Sequence, residues 1–345
     1  MRRGSGKKVC FLLLVILATV FLCSCQRTKK EQKPDDAAGA TSVTAEIQET
    51  TDELERLLWN KIRLDGKKYR YSTDYETYLL MGTDESGTES TDREKYIGNM
   101  ADFLMLVIVD RTDKTYAFLP LNRDTMTEIA LIDQDGEGEA TAVMQLCTAH
   151  WYGGSRKESC ENTVKAVSGL LGGIVINGYY EIHMQDIGKL NETVEGVTVT
   201  IESDFSKVDP SLKQGETITL NGEQAYHFLQ NRTEVDDGGN VSRMKRQKQY
   251  MEAFFKKVKQ KMEQDPQIIL TIYDEMADVA FTDLSGGMLS DLVVALQDGK
   301  NLGFQELTGE NRIGSHLDDG LEHMEFYSDA DSVKETLQAL YHITE

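Results

Sequence analysis

Residues 75–124 read YETYLLMGTDESGTESTDREKYIGNMADFLMLVIVDRTDKTYAFLPLNRD, and three β-like runs stand out in them: Tyr75 to Met81, Asp102 to Val109 and Thr115 to Leu121. Only Asp110-Arg111-Thr112-Asp113-Lys114 separates the second run from the third, a length that permits a hairpin and nothing longer. The insert between the first two, Thr83 to Met100, is polar and holds no helix strong enough to carry a parallel crossover, so that pair is also expected to be antiparallel. A meander of this kind gathers the end of the first strand, the start of the second and the end of the third at one edge. Asp84, Asp102, Arg123 and Asp124 stand there.

Working outward, an amphipathic stretch at Asp52 to Arg63 is expected to be helical, as is Lys157 to Leu171, which Gly172-Gly173 should stop. Strands are expected at Ile174 to Ile182, Val197 to Ile201 and Thr217 to Leu220, and helices at Met184 to Val194, Gly222 to Gln230, Ser242 to Met262 and Ser332 to Tyr341. Strands and helices alternating after an initial meander imply an α/β fold, a three-layer α/β/α sandwich around a mixed central sheet. No repeat or Pro/Gly-rich linker divides residues 52–345, which read as one domain.

The N-terminus has a different character. Arg2, Arg3, Lys7 and Lys8 precede an apolar run from Val9 to Leu22, too short at 14 residues for a spanning helix of ~20. Leu22-Cys23-Ser24-Cys25 is similar to a bacterial lipobox, which makes residues 1–24 a lipoprotein signal peptide and Cys25 the lipidated first residue of the mature chain; an uncleaved signal anchor is the alternative. Residues 25–51 are polar and read as a flexible tether. The expected location is the extracytoplasmic face of a bacterial membrane, held by a lipid anchor.

A formal charge of −21 argues against nucleic acid as a partner and suits a domain that stays off an anionic membrane surface. Of five cysteines, Cys147 and Cys160 lie outside the signal. In an oxidising compartment they are expected to form a disulfide, with two buried thiols as the alternative.

Two carboxylates and an arginine at one sheet edge suit Mg²⁺ holding a phosphate, because Mg²⁺ takes one or two carboxylates and leaves the rest of its octahedron to phosphate and water. A surface ion pair capping strand ends would use the same residues. Residues 242–261 carry eight Lys or Arg against one acid, Glu252. On a helix, Met244, Met251, Phe255, Val258 and Met262 would form the core stripe, flanked by Arg243 and Gln247 and then by Tyr250 and Phe254. That flank fits a pyrophosphate followed by a lipid tail, or simply a solvated basic helix with core aromatics.

Over nearly all of residues 75–345 the chain resembles the LytR-CpsA-Psr family, through Tyr78-Leu79-Leu80-Met81-Gly82-Thr83-Asp84, Ala101-Asp102, Asn122-Arg123-Asp124-Thr125, Tyr152-Gly153-Gly154, Val194-Glu195-Gly196-Val197, Leu220-Asn221-Gly222-Glu223-Gln224-Ala225, and Arg243 with Arg246-Gln247. The resemblance implies a phosphotransferase that moves a glycan such as a teichoic acid or capsular chain from undecaprenyl pyrophosphate to peptidoglycan. It implies Asp84 and Asp102 as Mg²⁺ ligands, Asp84, Asp102 and Arg123 as catalytic residues, and Arg123, Arg232, Arg243 and Gln247 as pyrophosphate-binding residues. A non-catalytic module that binds polyprenyl pyrophosphate or glycan at the wall is the rival.

The chain departs from the family pattern at Met100 and Gln230, where arginine is usual, at Asn122 for proline, and at Gln145 and Cys147 for Lys and Asn. Each charged hydrogen bond lost costs ~1.5–3 kcal/mol, which predicts weakened donor binding. Arg93 and Lys95 in the polar insert are candidates to restore part of the missing charge.

Overall fold

The computed structural model describes residues 55–132, 140–236, 238–317 and 319–345. The signal, the tether and Cys25 lie outside the described residues, and residues 55–345 form one compact unit. Among the described residues no helix is long and apolar enough to cross a membrane.

The unit opens with a short helical segment at residues 55–58 and an antiparallel ribbon, β1 (Trp59–Leu64) and β2 (Lys67–Ser72). The helix expected over residues 52–63 is therefore wrong from Trp59 on. From there the pattern alternates, with Ile62 and Leu64 facing in, and Asp65-Gly66 turns the chain with both residues at positive φ (50° and 76°), as a two-residue hairpin requires.

The meander follows as expected: β3 (Tyr75–Thr83), β4 (Ala101–Asp110) and β5 (Thr115–Pro120) pair antiparallel in sequence. A second hairpin, β6 (Met126–Ala130) with β7 (Thr141–Gln145), precedes α1 (Arg156–Leu170). The Ser155 hydroxyl caps α1, accepting from the Glu158 amide. At its far end Gly172 N–H donates to Gly169 and Gly173 N–H to Ser168 (2.7 Å), with Gly172 at φ 75°, a Schellman stop that glycine alone adopts without strain.

Strand β8 (Gly178–His183) returns parallel to β3, followed by α2 (Ile187–Thr193), the short ladder of β9 (Thr198–Thr200) with β10 (Thr217–Thr219), α3 (Gly222–Gln230) and the long α4 (Asn240–Gln264). The chain ends with α5 (Ile268–Met276), β11 (Phe281–Thr282), α6 (Gly286–Asp298), β12 (Lys300–Phe304), the hairpin of β13 (Gly309–Gly314) and β14 (His323–Ser328), and α7 (Ala330–Tyr341). The central sheet is mixed and six-stranded, in the order β11-β8-β3-β4-β5-β12.

Strand β4 shows why this is a sandwich. Leu104, Leu106 and Ile108 enter one core with residues of α1, α7 and the ribbon, while Met105, Val107 and Val109 enter a second core with α2 to α6. Alternate side chains are thus buried on opposite faces, the condition for helices on both sides.

On α4 the buried face is rotated from the expected stripe. Arg243, Arg246, Gln247, Tyr250, Met251, Phe254, Val258 and Met262 are buried, whereas Met244 and Phe255 are half-exposed. Tyr250 and Phe254 belong to the second core, and Tyr250 donates its hydroxyl to Asn191 at 3.2 Å.

Candidate active site

Two local devices set the meander edge. At the end of β3 the register shifts between Gly82 and Thr83, and Met184 packs closely over Gly82, where a Cβ would lie 2.4 Å from its Sδ and 3.1 Å from the Phe103 Cβ. Asp84 then pairs its backbone with Met100 (2.9 Å), and its Oδ1 accepts from the Ser86 amide, the Ser86 hydroxyl and the Met100 amide. After β5, the Asn122 side chain accepts from the Asp124 amide (2.9 Å), an Asx turn that presents Arg123.

Asp102, at the start of β4, is the hub. Arg123 pairs with its Oδ1, and Gln230 Nε2 (2.7 Å) and Arg243 Nη1 (3.3 Å) meet its Oδ2. Gln230 reaches there as the last residue of α3, whose start is fixed by a capping box between Asn221 and Gln224. Arg243, 2% exposed, also donates Nε and Nη2 to Asn240 Oδ1, and Asn240 in turn donates to Asn122 (2.8 Å). One hydrogen-bonded circuit therefore joins β4, the turn after β5, α3 and α4.

Burial pushes the Asp102 carboxyl up, but Arg123 and Arg243, with Gln230 and Arg232 beyond them, outweigh it and hold the group below the usual carboxylate range. Asp124, 3.6 Å from Arg123 Nε, shifts the other way because burial prevails over the same arginines. Two neighbouring aspartates with opposite shifts are a mark of functional sites.

The circuit forms the floor of a cleft of about 610 Å³ that is also lined by Asp84, Met100, Arg232 and the Glu322-His323-Met324 segment of the last hairpin. That hairpin is held over the cleft by the Phe326 amide on Asp124 (2.8 Å) and by Gln145 Nε2 on the Met324 carbonyl (2.6 Å). Among the described residues, buried side-chain atoms without a hydrogen bond include Arg123 Nε, Asp124 Oδ2, Gln230 Oε1 and Asn231 Oδ1, and all four residues line this cleft. Buried polar atoms are nearly always satisfied, so a concentration of exceptions points to a polar ligand.

The structure brings together Asp84, Asp102, Arg123, Arg232 and Arg243, but not Gln247. That side chain is buried a turn deeper on α4, with Nε2 3.3 Å from the Leu229 carbonyl, and does not line the cleft. The expected disulfide is absent as well. Cys147 and Cys160 are free, buried thiols: Arg123 Nη2 points at Cys147 Sγ (2.9 Å), while Cys160 Sγ faces His150 Nε2 (3.6 Å) across the core. Arg93 pairs with Glu158 (2.5 Å) and Lys95 with Asp92 (2.6 Å), and neither lines the cleft, so they do not replace the missing arginines.

Asn240, Asn231 and the last hairpin were not legible as site residues, and Gln145 was marked only as a departure from the family pattern. Asn240 lies three before Arg243 and so on its helical face, a signal that could have been read; nothing in the Gly- and Asp-rich residues 309–322 pointed to the cleft.

The donor set fits Mg²⁺ in kind. Asp84 is fixed through one oxygen, leaving Oδ2 for a ligand, and Asp102 Oδ1 has a single hydrogen-bond partner. Among the described residues no group of three or more His, Cys, Asp or Glu is placed to hold a metal; Asp84 and Asp102 are the two carboxylates that would hold one.

The sequence model of the LytR_cpsA_psr family matches residues 37–340 of the chain. Polyisoprenyl-teichoic acid–peptidoglycan teichoic acid transferase TagU of Bacillus cereus (strain AH820) is 28% identical over 52% of this chain and 51% of its own length. Biofilm regulatory protein A of Streptococcus mutans is 29% identical over 52% of the chain and 43% of its own. The chain thus spans about half the length of the curated relatives it matches. Among solved structures, TagT bound to LI-WTA superposes with a TM-score of 0.56 at 23% identity, covering 78% of this chain and 92% of that one. Bacillus subtilis TagV gives 0.58 at 20% identity, covering 79% and 100%.

Proposed function

The chain belongs to the LytR_cpsA_psr family, and on that premise we propose that it is a Mg²⁺-dependent phosphotransferase at the extracytoplasmic face of the membrane. It attaches a polyprenyl-pyrophosphate-linked glycopolymer, such as a teichoic acid, to peptidoglycan, and a lipid on Cys25 anchors it. The observation that carries this reading is the buried Asp102–Arg123–Arg243 cluster under a polar cleft with four unsatisfied polar atoms.

In this reading Arg123, Arg232 and Arg243 bind the pyrophosphate, and entry of the anion draws Arg123 and Arg243 off Asp102. Their guanidinium groups then spread the charge that builds on the phosphoryl oxygens during transfer. Mg²⁺ held by Asp84 and Asp102 would act as a Lewis acid toward those oxygens. A peptidoglycan sugar hydroxyl forms a new O–P bond to the glycan-side phosphorus and gives its proton to water, while the bridging P–O bond of the pyrophosphate breaks and lipid phosphate leaves with its electron pair.

Met100 and Gln230 favour the rival reading, a module that binds without transferring, because a thioether and a neutral amide stand where two further cations would help. A synthetic prenyl-pyrophosphate glycan with peptidoglycan oligomers separates the two. Release of lipid phosphate coupled to glycan appearing on peptidoglycan supports the enzyme; tight donor binding with no release over several glycan types supports the module.

A further inference from the structure

The ribbon β1–β2 carries a charge pattern that folding alone does not explain. Its inner face, Ile62, Leu64, Tyr69 and Tyr71, is buried in the first core. Its outer face presents Lys61 and Arg63 on one strand and Lys68 and Arg70 on the other, and the register sets Lys61 directly opposite Arg70 and Arg63 opposite Lys68. Like charges in direct cross-strand register are destabilising. Here two such pairs are stacked in a chain of net charge −21, and the ribbon has one acid, Asp65, at its turn.

These four side chains, with Gly172 and Glu345, line a concavity of about 690 Å³. Lys61 has a partial partner in Glu55 (3.3 Å), and Arg70 lies over the Trp59 ring (4.8 Å). Immediately before the ribbon, Leu57 and Leu58 are 67% and 51% exposed.

We propose that this ribbon docks the domain on an anionic phospholipid surface, with Lys61, Arg63, Lys68 and Arg70 on the headgroup phosphates and Leu57, Leu58 and Trp59 at the acyl boundary. Adjacent cations, exposed leucines and a tryptophan are the combination an interface selects. A soluble polyanionic glycan would use the cations and leave the two leucines unexplained. The inference rests on the extracytoplasmic, anchored reading, in which about 30 residues separate Cys25 from Trp59; a coil of that length spans roughly 30 Å, within range of the bilayer. The net acidic charge that suggested a domain repelled by the membrane conceals this basic face.

The chain has two tryptophans, Trp59 and Trp151, so Trp151→Phe makes Trp59 the sole reporter in the full-length lipidated protein. It is reconstituted with vesicles of phosphatidylcholine alone or mixed with phosphatidylglycerol, both carrying brominated lipid. Quenching of Trp59 is expected to be roughly threefold greater on the anionic vesicles, to fall at high salt, and to be lost in Lys61→Glu with Lys68→Glu. Hydrogen exchange of residues 59–72 in the unaltered chain gives the same comparison if a variant misfolds. Equal quenching on both vesicles, no quenching on either, or a response to soluble poly(glycerol phosphate) instead of vesicles overturns the proposal. Flotation with phosphatidylcholine alone reports the lipid anchor, so failure of the anchored reading shows separately.

Discussion

Asp102 accepts from three side chains on three different elements, and the energetics of the site depend on it. Removing one partner of a buried ion pair leaves the other charge uncompensated, at about 3–5 kcal/mol. Asp102→Ala should therefore lower the stability of the free protein by that order in a urea titration, and a ligand anion should restore part of it by taking the place of the carboxylate. An unchanged midpoint would mean the arginines are solvated and the cluster is not buried as described.

The opposite shifts of the two aspartates give a signed prediction. Asp102, held low, contributes stability that is present above the ordinary carboxylate pKa of about 3.9 and is lost as pH falls through its lower folded value. Asp124, raised by burial, contributes in the opposite sense: its share is present below the ordinary value and is lost as pH rises through the raised folded one. In a carboxyl-carbon NMR titration from neutral pH downward, Asp124 should take up its proton before Asp102; the reverse order would refute the assignment of the circuit.

Met100 tests the departures from the family pattern. Its Sδ lies 3.3 Å from Arg123 Nη2, on the cleft wall, so Met100→Arg places a second guanidinium beside the first. Donor binding should tighten by about tenfold, ~1–2 kcal/mol, measured calorimetrically; no change would remove this wall from the donor site. Cys147 was read as half of a disulfide because pairing was argued from compartment and count. Its sulfur instead packs on Arg123, and burial pushes its thiol up. Alkylation and mass analysis of non-reduced exported protein should find Cys147 and Cys160 both free.

At the scale of elements, strong local signals were legible. The meander, the Gly172-Gly173 stop of α1 and all of α3 were expected where they are found, because hydrophobic runs and caps are local. The ribbon was missed although Asp65-Gly66 between alternating residues is a strong hairpin signal, because the helical spacing of residues 52–63 was given more weight. Strands β6, β7, β12, β13 and β14 were missed because their side chains are largely half-exposed or exposed and carry little pattern. On α4 the core stripe was expected to run through Met244 and Phe255, with Arg243 and Gln247 on its flank; Arg243, Arg246 and Gln247 instead face in because the circuit and α3 satisfy them. The aromatics that follow are core, so Phe254→Ala should cost about 3–5 kcal/mol of stability while leaving donor affinity unchanged in the protein that remains folded. A selective loss of donor binding would return Phe254 to a lipid-contacting role.

Over the whole molecule, the sheet edge was legible because antiparallel pairing fixes which strand ends meet, and Asp84, Asp102, Arg123 and Asp124 follow from that alone. What sequence order hides is the closure of the cleft from 106 (Asp124 to Gln230) to 240 (Asp84 to Met324) residues away, by Gln230, Arg243 and the Glu322-His323-Met324 segment. Residues so distant in sequence carry no local signal for their meeting; Arg232 was named only through the family resemblance, and Arg243 through its place on the flank of α4 together with that resemblance. One cleft has to hold a pyrophosphate and a metal between the Asp84–Asp102 edge and the arginines. The most direct test is a crystal structure of the chain soaked with a prenyl pyrophosphate and Mg²⁺. Density is expected for pyrophosphate contacting Arg123, Arg232 and Arg243, with Mg²⁺ at ~2.1 Å from oxygens of Asp84 and Asp102. Pyrophosphate bound elsewhere, or bound there with the Asp102–Arg123 pair intact and no metal on either carboxylate, would contradict this assignment.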